Sequence, residues 1–223
     1  MDAMSGMLAS AWRTARDTMP WDVRLQYVED AERYGVGFEQ LRDWNRAFCQ
    51  AMATRQRWVD CLLRDCFHEA FRRHYARDDW WNALAGSASR GMPSPLPTRN
   101  DGIRPAELSP RQAAIRLGVA HFGRIVGSPS LYKQSRTPLR TALPNFMGRR
   151  GELHSLFMQF TELHDLVSRD EPVYDRDLDL DLAVAEKLAL AVSRDEAESI
   201  RRLAPVSEVL ALHPGRVAVL AVA

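Results

Sequence analysis

The segment Glu162 to Leu178, ELHDLVSRDEPVYDRDL, carries a histidine and an arginine five positions apart, His164 and Arg169, among acids and ahead of a proline. Such groups could cleave RNA without a metal. One takes the proton of the 2′-hydroxyl, another protonates the leaving oxygen, and a cation faces the developing phosphorane charge. In that scheme His164 is the acid or base, Arg169 stabilises phosphate charge, and Asp165 stands beside them. Five residues turn an ideal helix by about 140°, so His164 and Arg169 share a face only if the helix ends between them. Pro172 disfavours helix at Glu171 and supplies a reason for that ending. The plain alternative is the polar end of a helix with an incidental histidine.

Other sets invite the same question. Arg64, Asp65, His68 and Glu69 fall three to five positions apart, which puts them on one flank of a helix. Asp65, His68 and Glu69 imitate a metal site, but a single histidine without a histidine-pair signature argues for a solvated or paired flank instead. Arg149-Arg150 with His154 repeats an R-x4-H spacing counted from Arg149, or is simply a charge cluster at a helix start. Trp44, Trp58, Phe67, Trp80 and Trp81 could stack bases, yet each continues or follows an apolar face, and core packing is the commoner use. The acids of DRDLDLD could hold a divalent cation or open an exposed helix. Glycine-rich phosphate loops, GxSxG elbows and HExxH are absent from the sequence. No cofactor or metal is expected.

The elements that must position these residues read as all-α. A helix from about Trp21 to Tyr34 should end at Gly35-Val36-Gly37, where glycine takes the left-handed C-cap conformation. From Phe38 to about Ala76 apolar residues recur at helical spacing without proline or glycine, giving a helix of roughly 58 Å, long enough to be the spine of a bundle. Gly86 to Leu108 is rich in Gly, Pro and Ser and reads as a long loop. Ser109-Pro110 should open a helix to about Val126, which Gly127-Ser128-Pro129 stops. A further helix covers about Arg149 to Ser168, and helix resumes near Asp177. Ser193 with Glu196 fits a capping box, and Pro205 interrupts the helix that follows. Strand-like alternation is confined to Asp177 to Leu182 and to the apolar tail RVAVLAVA.

The chain has 223 residues, 46% of them hydrophobic and 26% charged, a composition that folds. Residues 1–20 read as an N-terminal extension, 21–214 as one domain and 215–223 as a tail. Thirty basic against twenty-nine acidic side chains give a net charge of +1, so no global attraction to nucleic acid or membrane operates, and any RNA-binding surface must be local. Cys49, Cys61 and Cys66 form no CxxC pair and suit a reducing compartment. No signal peptide and no apolar run near the roughly 20 residues of a membrane span is visible, so a cytoplasmic protein without a membrane partner is expected.

Together these pieces resemble the Abi-like (abortive infection) family of bacterial proteins, a branch of the all-helical HEPN superfamily. LRDWNRAFCQA is similar to the family's LYxWNxxLSAA, and VDCLLRDCFHEAFRRHYARDDWW to its ExxLRNxxHxxLxxxYGxxWW. ELSPRQAAIRLGVAHFG is a loose counterpart of an LSFGFW-like helix, and LHDLVSRDEPV, Leu163 to Val173, stands where the family has LRNRIAHHEPI. SRDEAESIRRLAPVSEVLALHP is similar to the family's C-terminal end, so the resemblance covers about Arg24 to Pro214.

The resemblance implies a HEPN-like helical bundle that forms a homodimer with a composite, metal-independent endoribonuclease site, acting in phage defence, with RNA and an antitoxin or other protein as partners. Aligned on Glu171-Pro172, the family's motif arginine falls on His164, its asparagine on Asp165, and its two histidines on Arg169 and Asp170. R-x4-H has become H-x4-R. Since a catalytic pair must be held to within about half an ångström, the exchange predicts weak or lost cleavage. Two readings stay open: a rearranged site supported by Arg64 and His68, or an inactive dimer that holds RNA or a protein through Arg64, Arg149, Arg150 and Arg169.

Overall fold

The computed structural model describes residues 19–87 and 117–215, with positions 109 and 112. Residues 1–18, most of the expected loop after Ser87 and the apolar tail from 216 lie outside the described residues. Among the described residues the protein is all-α, with no strand. Helix α1 spans Trp21–Tyr34 and closes on Gly35, whose φ of 66° is left-handed. The Gly35 and Val36 N–H groups turn back to the Glu32 and Ala31 carbonyls, the paired bonds of a Schellman end.

Helix α2, Phe38–Tyr75, runs unbroken for 38 residues because neither glycine nor proline interrupts it. It touches every other described helix. Leu41, Trp44, Phe48, Met52, Val59, Leu63, Phe67 and Phe71 are buried along it. Its far end packs an aromatic cluster. Phe67 stacks on Phe122 at 4.0 Å, and Phe71 lies 4.6 Å from Trp80 of α3, Trp80–Ser87. Trp44, Trp80, Trp81 and Phe67 are core residues, as their apolar faces suggested. Trp58 is not: it is 48% exposed, standing off the buried stripe. Helix α3 also continues through Gly86 and Ser87, into the stretch that reads as loop.

Two further departures follow from contacts distant in sequence. The helix expected from Ser109 to Val126 is not continuous. Gln112 N and Ser109 Oγ pair at 3.3 Å and Ser109 N reaches Gln112 Oε1 at 3.0 Å, the capping box of a helix start. Leu117 and Gly118 are nevertheless non-helical, and α4 is Val119–Gly127. Its first N–H, on Val119, donates to Asp60 Oδ1 of α2 at 2.9 Å, a cap supplied from across the bundle. Helix α5, Pro129–Ala142, was not expected at all. Ser128 caps it and Pro129 sits at its first position, the same signal as Ser109-Pro110. Pro138 inside α5 cannot bond the Gln134 carbonyl, and that oxygen accepts from the Tyr75 hydroxyl at 3.4 Å.

Helix α6 is Arg150–Ser168, α7 Leu178–Val192, α8 Arg194–Leu203 and α9 Val206–Ala211. The alternating Asp177 to Leu182 is helical: Asp177 Oδ1 accepts from Leu180 N at 3.0 Å and caps α7. Ser193 caps α8 through Glu196 N. Helix α6 runs antiparallel to α2, with Gln56 opposite Phe160 and Asn45 opposite Glu171. Gly123 of α4 permits close packing on α6, since a Cβ there would lie 3.2 Å from Phe157 Cβ.

Buried polar side chains of α2 fasten the connections around it. Arg55 gives two hydrogen bonds to the Ala204 carbonyl, at 3.2 and 2.8 Å, closing the end of α8. Trp44 Nε1 donates to Val209 O of α9 at 2.9 Å. Asn45 Nδ2 donates to Glu171 O at 3.2 Å while its Oδ1 accepts from Val173 N at 2.9 Å, so one carboxamide grips both sides of Pro172. Asn45→Ala strands both backbone groups in the core and should destabilise the fold by about 2 kcal/mol in urea denaturation. An unchanged midpoint and slope would mean that the grip contributes nothing.

Candidate functional site

The end of α6 decides whether His164 and Arg169 can act together. Asp170 takes a left-handed φ of 58°, Asp170 N reaches Val167 O, and Glu171 N reaches Leu166 O, so the helix closes in a Schellman turn before Pro172. His164 remains on the helix and Arg169 lies past its last residue. Arg169 Nε is held by Glu171 Oε1 at 2.6 Å, and Asp170 faces Arg46 Nε at 3.6 Å. His164 Nδ1 lies 3.8 Å from Asp165 Oδ1, and both side chains are exposed. The H-x4-R spacing therefore spans two environments rather than one site.

Most of the polar groups that follow are used as a fastener. Tyr174 donates to Asp30 Oδ2 of α1 at 2.7 Å, and its carbonyl meets His213 Nε2 at 3.0 Å. Because His213 Nδ1 accepts from Gly215 N, the proton of the neutral ring is assigned to Nε2. Asp175 accepts from Tyr34 and Arg33, each at 2.7 Å. Burial and then this carboxylate push the Tyr34 phenol up to about 12. Arg176 bridges Asp181 of α7 and Glu162 of α6, at 2.9 and 2.8 Å. The segment that reads as a worn catalytic motif ties α1, α2, α6, α7 and the C-terminal turn together.

His164 and Asp165 line a cleft of about 290 Å³ with Asp60, His121 and Thr161. Sequence patterns did not single out Asp60 or His121. Arg64 borders this cleft, 3.9 Å from Asp60, with its guanidinium also on Cys61 Sγ at 3.2 Å. His121 is only 9% exposed, and neither ring nitrogen makes a hydrogen bond of normal geometry, although the Gly118 carbonyl is near enough to favour a ring proton. Two carboxylates at its wall make this cleft a poor seat for a phosphate.

The remaining predicted residues are structural or free-standing. His68 Nδ1 accepts from the Trp80 indole at 3.1 Å, and burial lowers its affinity for a proton. Glu69 is clasped by Arg72 and Arg73, the first of which does most to hold its carboxyl at about 2. Asp65 is exposed, 3.9 Å from Arg64. Among the described residues no cluster of His, Cys, Asp or Glu could hold a metal. Arg150 donates to the Val126 and Gly127 carbonyls, each at 3.0 Å, capping the end of α4, where His154 packs against Gly127. Arg149 is exposed at the start of α6.

A different surface concentrates positive charge. The loop 143–149 between α5 and α6 is pinned by Asn145, whose Nδ2 reaches the Leu190 and Val192 carbonyls at 3.2 Å. On either side of it open two lobes of one groove, about 650 and 270 Å³, which share Phe146, Met147 and Gly148. Lys187 and Arg194 line the larger, Arg136 and Arg140 the smaller, and Glu152 is the one acid in either lining. Among the described residues none of these four cations forms an ion pair, whereas Arg33, Arg72, Arg73, Arg77, Arg176 and Arg201 are all held by carboxylates. A concave surface lined by one sign of charge focuses the field on an anionic ligand. No run of basic residues announces this surface, because its cations come from three helices. Ser128-Pro129 with Arg136 and Arg140 one turn apart was the available signal.

Comparison with protein-family models, with curated proteins and with solved structures finds no match to this chain. No described helix is long and apolar enough to cross a membrane.

The buried His121 ring titrates in an acid window. Burial, then the Arg124 charge, lower it from 6.5 to about 4, so between those values the unfolded chain binds more protons than the folded one. The stability owed to the neutral ring is complete above pH 6.5 and is lost as pH falls through about 4. His121→Leu should flatten this part of the stability profile, measured by urea denaturation from pH 7 to 4; an identical decline in both proteins would contradict it.

Proposed function

We propose that the protein is an RNA-binding helical module, a HEPN-like scaffold of the Abi-like kind on which RNA is held through the basic groove and not cut. The observation that carries this reading is the set Arg136, Arg140, Lys187 and Arg194, which lacks ion-pair partners among the described residues and lines both lobes beside the 143–149 loop. Phosphates can meet these cations without breaking an existing pair, so little is lost in desolvating competitors. Phe146 and the 93% exposed Met147 add apolar surface on which bases can rest.

Absence of cleavage is the other half of the proposal. A transphosphorylation site needs acid, base and phosphate-facing cation within reach of one reacting phosphorus. His164 stands by two carboxylates, and Arg169 is clasped by Glu171 beyond the helix end. Arg46, which contacts Asp170, is likewise committed to that turn. These contacts support loss of the ordinary ribonuclease mechanism.

Purified protein should bind a mixed-sequence single-stranded RNA in EDTA and leave it intact, with log affinity falling against log salt at a slope of about −3 for four phosphate contacts. Joint replacement of Arg136, Arg140, Lys187 and Arg194 by alanine should weaken binding on the order of a hundredfold. RNA cleavage lost in His164→Ala, or no binding at low salt, would overturn the reading.

A further inference from the structure

We propose that the larger lobe of the basic groove is a recognition pocket for guanine, so that the bound RNA is single-stranded and turns a guanine toward Glu152. This rests on the RNA-binding reading above and adds the identity of the base.

Glu152 is out of place in a groove that serves phosphates alone. It stands in the first turn of α6, and its carboxylate opposes the attraction of Lys187 and Arg194 across the same lobe. Among the described residues it has no hydrogen-bond or ion-pair partner. A donor pair on the ligand would give it one. Guanine alone presents two adjacent donors on its Watson–Crick edge, N1–H and the 2-amino group, which match the two oxygens of a carboxylate. Adenine and cytosine set an acceptor beside their amino group, and uracil flanks its single N–H with two carbonyls, so each would aim a lone pair at Glu152. A duplex hides this edge in base pairing, which selects a single strand.

The lobe is shaped for such a base. Its volume of about 650 Å³ lies within the range of small-molecule sites. Phe146 lines it with an aromatic ring, Leu156 and Leu190 with apolar surface, and Lys187 and Arg194 supply cations for the attached phosphate. Gly148 holds the arrangement open. A Cβ there would run into Glu152 Oε2 and would come within 2.6 Å of the Phe146 ring, displacing both groups that would contact the base. Asn145 fixes the same loop to the end of α7, so the pocket is built before ligand arrives.

The test is calorimetric titration of the full chain with GMP, AMP, CMP and UMP, alongside two fluorescent 11-mers, an all-uridine strand and the same strand with one central guanosine. GMP should bind about tenfold tighter than the other nucleotides, and the guanosine should improve the 11-mer by a similar factor. Glu152→Gln, which replaces one acceptor by a donor at an exposed position, should bring the GMP-to-AMP ratio close to one, and Gly148→Ala should do the same with the carboxylate retained. Equal affinity for the four nucleotides, with RNA binding still lost on removing the groove cations, would overturn the guanine assignment and leave the RNA reading standing. Failure of both 11-mers to bind at low salt would overturn both.

Discussion

One buried carboxamide sets the relation between the longest helix and the segment that looked most chemical. Asn45 holds Glu171 O and Val173 N from α2, on opposite sides of Pro172. A helix interior cannot otherwise satisfy an extended strand of backbone, and an unpaired backbone group in the core costs about as much as a lost hydrogen bond. Once that turn is seated, Tyr174 and Asp175 fall within reach of Asp30, Tyr34 and Arg33 on α1, and the Tyr174 carbonyl within reach of His213. Trp44, next to Asn45, and Arg55, farther along α2, repeat the device, each giving an N–H to a carbonyl of a short helix or connection near the C-terminal end of the bundle. The bundle is thus wrapped around α2 by side chain to backbone bonds as well as by its aromatic core.

This use of the polar residues determines what is left for function. Nearly every charge around the α6 end is matched: Arg169 by Glu171, Arg46 by Asp170, Arg176 by Asp181 and Glu162. Matched charges neither attract a polyanion nor move readily toward a reacting phosphate. Among the described residues a set of cations without ion pairs lines one concave surface beside the Asn145 loop, and with a net charge of only +1 this local imbalance is what a polyanion would sense. Our proposal of an RNA-binding role follows from that division between charges that hold the fold and charges that face solvent.

Much of the fold was legible in the residues. Periodicity marked α1, α2 and α6 closely, since long amphipathic helices announce themselves by spacing and Gly35 by its need for a left-handed cap. Helix α5 escaped because its sequence is polar and carries Pro138, whose cost is met by Tyr75, 59 positions before the Gln134 carbonyl that it satisfies. The start of α4 escaped for a similar reason, its cap being Asp60 on another helix. The site was less legible. Spacing alone sets His164 and Arg169 about 140° apart on a helix and leaves their pairing to the way the helix ends; it ends at Ser168, with Arg169 drawn to Glu171 in the turn that a left-handed Asp170 completes. The groove depends on which side chains lack partners, and that is a property of the packed chain, invisible along it.

The most direct measurement is photo-crosslinking of the protein to a single-stranded RNA containing 4-thiouridine, followed by peptide mapping of the attachment points. The account predicts crosslinks to Phe146, Met147 and their neighbours in the 143–149 loop. Crosslinks concentrated at His164 to Arg176, with the loop unmarked, would contradict it.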